Sequence, residues 1–332
     1  MKRSLALASV ALLAGSLTAC GEGEGSTVSA ETSAGDTPAT GSEPADPVLA
    51  VAAAFYPIEL AVQRIGGDRV TVTTLTQPGA DPHDAELTPR QVGELGSSDL
   101  VVYLSAFQPA IDDAVDSVAG EGAMDVAEHA NLTLTAVDHG HEEEGDDHAD
   151  DEGDEHGDEA TDPHFWLDPN RYASVAEAIA DRLAELDPEG AQEYETRGKE
   201  FANELAVLDE EFSTGLATCT HRDLVTGHAA FGYLADRYDL HQEGISGLSP
   251  ENEPSAAQIR DLVEHVRETG VTTVYAETLV SPALAETIAR EAGVQVAVLD
   301  PIEGITDTSA GNDYFEIMRS NLQTLREGQD CA

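Results

Sequence analysis

Positive charge is scarce in this chain. Sixteen Lys and Arg, only two of them Lys, face 65 Asp and Glu, for a formal net charge of −49 over 332 residues. Fourteen of the acids fall between Asp138 and Asp162; the 51 that remain still far outnumber the same 16 bases, so the excess is global. Such a surface repels phosphate backbones and argues against nucleic acid as a partner. It favours solubility and attracts cations, and much of it reads equally well as salt tolerance. Cysteine is limited to Cys20, Cys219 and Cys331. No His-Glu-x-x-His helix is present and no carboxylate stands out as a general base, so a zinc-dependent hydrolase has little support. The apolar run Leu5 to Leu17 is too short for a comfortable membrane span.

That run, preceded by Lys2 and Arg3 and followed by Leu17-Thr18-Ala19-Cys20, has the pattern of a processing signal and resembles a bacterial lipobox. Cleavage before Cys20 and diacylation of its thiol would follow; an ordinary secretory signal with a chance cysteine is the plainer alternative. We therefore expect residues 1–19 to be a signal peptide and 20–46, with almost no apolar side chains, a flexible tether. The location implied is extracytoplasmic, lipid-anchored to a bacterial membrane. In that oxidising compartment Cys219 and Cys331 are expected to form a disulfide tying the C-terminus to the start of a second domain, two free thiols being the other reading.

The rest is long enough for two domains. Strands are expected near Val48–Ala53, Val70–Leu75, Asp99–Leu104, Met124–Val126 and Leu132–Val137, with helices after Phe55, at Thr88-Pro89 and from Pro109. An aperiodic acidic loop over 138–162 follows. Asn170 to Leu186 is helical. A further helix, restarted at Asp187-Pro188-Glu189, carries Tyr194, Phe201, Leu205, Leu208, Phe212 and Leu216 as one apolar stripe to about Leu216. At nearly thirty residues it would be a stiff strut of about 40–45 Å. Strands near Asp223–Thr226, Leu240–Ile245, Val271–Ala276 and Val294–Leu299 then alternate with four helices. The pattern predicts an α/β fold with parallel sheets and right-handed crossovers. Its divisions are an N-terminal lobe over 47–186, a linking helix over 187–217 and a C-terminal lobe over 218–332.

Two Asp-Pro-His triplets stand out, Asp81-Pro82-His83 and Asp162-Pro163-His164. Proline fixes its own φ and biases its predecessor towards extended backbone, so each histidine leaves the chain at a defined angle. His228 follows strand Asp223–Thr226, and Asp300 ends the last strand. Ligands in such folds gather beyond the carboxyl ends of strands, so His83, His164, His228 and Asp300 can meet across a cleft between the lobes. Three imidazoles and one carboxylate suit tetrahedral Zn²⁺, whereas manganese or iron would favour more oxygen, which makes His228 the discriminating position. Asp84 and Glu86 are candidates to orient His83, and Asp168 reads as a helix cap. His139, His141, His148 and His156 in the acidic loop would bind zinc weakly or serve only as part of a solvated linker.

Asp-Pro-His-Asp-Ala-Glu, Pro-His-Phe-Trp-Leu-Asp-Pro, Gly-His-Ala-Ala-Phe-Gly-Tyr and Leu-Asp-Pro together resemble the motif set of the zinc-binding proteins of ABC transporters, from about Asp46 to the C-terminus. The resemblance implies two similar α/β lobes on a long rigid backbone helix, with the metal in the cleft between them. It implies His83, His164 and His228 as ligands and Asp300 as the fourth, a position that family members sometimes leave to water or another carboxylate, with Glu277 as a supporting group or substitute. It implies a monomeric receptor rather than an enzyme, with zinc as cargo and an ABC permease and its ATPase as partners. A manganese or iron receptor of the same architecture, and a surface adhesin or metal-sequestering protein with no transporter, remain alternatives.

Overall fold

The computed structural model describes residues 47–135 and 160–332. The first half runs β1 (Leu49–Ala53), α1 (Tyr56–Gly66), β2 (Val70–Thr74), α2 (Pro89–Leu95), β3 (Leu100–Tyr103), α3 (Pro109–Ala114), β4 (Ala123–Asp125) and α4 (Ala127–Ala130). The long helices α5 (Pro169–Leu186) and α6 (Ala191–Gly215) follow. The second half comprises β5 (Asp223–Thr226), α7 (Gly232–Arg237), β6 (His241–Gly244), α8 (Ala256–Thr269), β7 (Thr273–Ala276), α9 (Ala283–Ala292), β8 (Gln295–Val298) and α10 (Tyr314–Gly328).

Each half builds a four-stranded, wholly parallel sheet, ordered β2-β1-β3-β4 in one and β6-β5-β7-β8 in the other. The same permutation occurs twice, so the chain has two similar α/β lobes. Parallel strands covered on both faces need continuous apolar character, and the inner strands supply it: β7 is buried throughout and β3 nearly so. Local signals set the helix starts. Thr88 and Gln91 form a reciprocal capping box on α2, and Ser255 and Gln258 do the same on α8. Asp168 accepts the Asn170 N–H at the start of α5.

Helix α6 buries Tyr194, Phe201, Leu205, Leu208 and Phe212 against α5 and α1 on one side and α10 on the other. Its 25 residues span about 37 Å, somewhat less than expected. The shortfall lies at its start. The Asp187 carboxylate is taken by Arg69 and by the Tyr194 hydroxyl, which holds Asp187 to Gly190 in a turn. Over residues 132–135, the described part of the expected strand Leu132–Val137, no strand forms; Thr135 makes one isolated antiparallel bridge to Thr161. The N–H groups of Thr133 and Leu134 instead donate to the Tyr233 hydroxyl, so a side chain takes the place of a neighbouring strand. Cys219 and Cys331 form the disulfide, closing a separation of 112 residues. Among the described residues no helix is long and apolar enough to cross a membrane. Cys20, His139, His141, His148 and His156 lie outside the described residues.

Candidate metal centre

The two Asp-Pro-His triplets fold alike. In each, the Asp Oδ1 accepts the backbone N–H of the histidine two residues on, at 2.9 Å in both. This turn, with the intervening proline, sets the exit direction of His83 and His164. His83 sits in the irregular segment between β2 and α2, its ring edge-on to Phe107 at 4.7 Å. His164 is fully buried ahead of α5, beside Trp166. His228, also fully buried, leaves the end of β5. The three rings converge, and their Nε2 atoms lie 3.2, 3.1 and 3.2 Å from one oxygen, Oε1 of Glu303. Nε2 of His164 and of His228 are 3.4 Å apart. Four donors bound tetrahedrally at 2.0–2.1 Å from one ion are separated by about 3.3–3.4 Å, so the spacings fit a single small cation.

The fourth member is Glu303, not Asp300, and this corrects the sequence expectation. Asp300 lies just past β8, but its Oδ1 turns back to accept the Ile302 N–H at 2.8 Å. Asn321 of α10 clamps the Asp300 backbone from both sides, accepting its N–H and donating to its carbonyl. Ile302 adopts the left-handed region at φ 56°, unfavourable for a β-branched residue, and the chain reverses to present Glu303. Asp300 thus shapes the turn, and the longer side chain three residues on reaches the centre. Burial raises the Asp300 pKa.

Two further carboxylates set the imidazoles. Asp162 Oδ1 receives Nδ1 of His164 at 2.8 Å. Glu277 holds His228 twice, through its backbone N–H at 2.7 Å and through Nδ1. Both carboxylates are buried. An Nδ1–H donated to a carboxylate leaves the Nε2 lone pair facing the centre. Glu277 was expected as a supporting group; Asp162 was not, although its place two residues before His164 in a repeated motif was a readable signal. Glu86 is exposed and makes no hydrogen bond to His83.

The electrostatics describe a site awaiting a cation. Burial disfavours charge on His164 and on His228. Asp162 and Glu303 outweigh it for the first, Glu277 and Glu303 for the second, and both pKa values lie above the ordinary range. Burial likewise opposes the Glu303 carboxylate, yet hydrogen bonds from His164, His228 and His83 hold it well below its usual value. Without an ion, protons on the imidazoles neutralise the carboxylates. A divalent cation does the same through the Nε2 lone pairs.

The family described as "Zinc-uptake complex component A periplasmic" matches residues 51–328. The chain belongs to that family. As a member, it is 36% identical over 289 residues to the zinc-binding protein AdcA of Streptococcus pyogenes serotype M3, covering 85% of this chain and 56% of the relative. It is 34% identical over 293 residues to the zinc-binding lipoprotein AdcA of Streptococcus pneumoniae serotype 4, covering 86% of this chain and 57% of the relative. The chain thus spans little more than half the length of these relatives. Among solved structures, the Zn(II)-bound ZnuA-like domain of Streptococcus pneumoniae AdcA is similar with a TM-score of 0.68 and 30% identity, over 85% of this chain and 99% of that one.

Proposed function

We propose that this protein is an extracytoplasmic receptor that captures Zn²⁺ and delivers it to an ABC permease and its ATPase, with no catalytic activity of its own. The convergence of His83, His164, His228 and Glu303 on one point carries this reading. Three nitrogens and one oxygen suit zinc, and the single carboxylate disfavours manganese. With Zn²⁺ bound to three neutral imidazoles and one carboxylate, the ligand shell carries one positive charge. The Asp162 and Glu277 carboxylates behind it offset that charge in a buried setting. A lipid-anchored Cys20 would hold the receptor at the membrane, and the similarity to a relative named a lipoprotein supports this.

His83 and His164 come from the first lobe, His228 and Glu303 from the second, so the cargo is gripped two against two. Any separation of the lobes breaks a tetrahedral site at once, which gives a permease a mechanical route to release. The test is a competition titration of Zn²⁺ against Mn²⁺, with metal analysis of the purified protein. One tight zinc equivalent, lost in His83→Ala and His228→Ala, is expected. Preferential manganese loading, or zinc-dependent turnover on ester, phosphate or peptide panels, would overturn the reading.

A further inference from the structure

Beyond the ligands and their carboxylates, the fold contains a reciprocal pair of contacts across the cleft. Tyr233 belongs to α7 of the second lobe, five residues after His228, and is fully buried. Its hydroxyl donates to the Asp162 carbonyl at 3.1 Å and accepts the N–H groups of Thr133 and Leu134 at 3.1 and 3.3 Å. The same element presses its backbone on the Asp162 carboxylate: a Cβ at Gly232 would lie 2.4 Å from Asp162 Oδ2. The Arg171 guanidinium of the first lobe lies 4.3 Å from the Tyr233 ring centre. The group that orients His164 is thus braced from the opposite lobe.

The mirror contact runs the other way. Trp166 belongs to the first lobe, its ring packed on Phe55 and Phe107. Its indole N–H donates to the Pro301 carbonyl at 2.8 Å, two residues before Glu303. The Tyr314 hydroxyl of the second lobe returns a bond of 2.6 Å to the Trp166 carbonyl. The strained Asp300–Glu303 turn is therefore braced by the lobe that does not carry it.

We propose that Tyr233 and Trp166 are positioning residues of a crossed brace, each fixing a ligand-bearing turn of the other lobe, so that a small lobe separation unsets His164 and Glu303 together. This rests on the zinc reading above. Neither residue touches the ion. Both act on how long the site stays assembled, so their loss shortens zinc residence more than it slows zinc capture. Because the two contacts break in one motion and share no partner, their free energies sum and the loss of both multiplies the effects of each.

The test uses the full chain and measures Zn²⁺ association and chelator-triggered dissociation by stopped flow in Tyr233→Phe, Trp166→Phe, the double variant and Gly232→Ala. Co²⁺ absorption reports the ligand geometry. The expected result is zinc dissociation faster by about tenfold or more in each variant, with association unchanged and the four-coordinate Co²⁺ spectrum retained. The double variant should come close to the product of the singles. Gly232→Ala displaces Asp162 without touching the phenol and keeps the test open if Tyr233→Phe folds poorly. Unchanged dissociation in the folded variants, or a double variant no faster than the quicker single, overturns the brace. So does loss of the Co²⁺ spectrum, which would make these residues part of ligand geometry itself. Absence of zinc binding by the unsubstituted protein would instead overturn the functional reading on which the brace rests.

Discussion

Glu303 and Asp300 stand three residues apart and differ in what they touch. Glu303 meets three imidazoles, while Asp300 meets the backbone of its own turn. Glu303→Ala should therefore weaken zinc binding by more than about 100-fold. Asp300→Asn, which keeps all four donors, should cost no more than the 10–100-fold typical of groups behind the ligands. Asp162→Asn and Glu277→Gln belong to that second range. Competition with a chelating dye ranks the four, and an Asp300 variant worse than the Glu303 variant would contradict the assignment. The three histidines were legible because proline corners and strand ends fix where they leave the chain. Glu303 was not. Strand parity stops at Val298, and the left-handed Ile302 that redirects the chain leaves no trace in residue type.

Protonation at these residues has a definite sign. His164 and His228 are raised in the folded, metal-free protein, so their contribution to stability is full below about pH 6.5, the ordinary histidine value, and is lost as pH rises through the elevated folded values. Glu303 is lowered, so its contribution is present above about pH 4.3 and is lost as pH falls through its depressed value. Metal-free protein should thus be most stable between those limits, as melting temperatures across pH would register. Zinc needs the imidazoles neutral, so binding near neutral pH should expel protons and weaken as pH falls. Calorimetry in buffers of different ionisation enthalpy counts those protons; none released would refute the scheme.

Helices α5 and α6 pack closely where Gly198 faces Ala180, a Cβ on the glycine falling 2.8 Å from that of the alanine. Gly198→Val should overfill this contact, cost about 1–3 kcal/mol and lower the melting temperature by several degrees without altering zinc stoichiometry. The disulfide spans a long loop, so Cys219→Ser with Cys331→Ser should lose roughly 2–5 kcal/mol in denaturant titration. Element types were readable where one period dominated, as in the apolar stripe of α6 and the buried strands. The segment after α4 departs from expectation because, over its described residues 132–135, strand-like composition meets only the single bridge from Thr135 to Thr161. Its N–H partners come from Tyr233, about a hundred residues away, a contact no local pattern announces.

The molecule as a whole is two copies of one sheet order set on a common long helix. Helix α6 packs on both halves, and Arg237 of α7 reaches Asp209 on α6 and Asp168 ahead of α5. Such a frame permits small displacements rather than a wide swing. Crystals of metal-free and zinc-loaded protein should show lobes that differ by a few degrees, and a rotation of tens of degrees would refute this. A small motion suffices, because tetrahedral donors separated by even an ångström no longer share an ion.

Trp166 is the only tryptophan in the chain, and it lies against His164 on one side and Pro301 on the other. Its ultraviolet emission is therefore an intrinsic gauge of filling and emptying. One fluorophore, with no dye attached, should follow each binding and release of Zn²⁺ in real time.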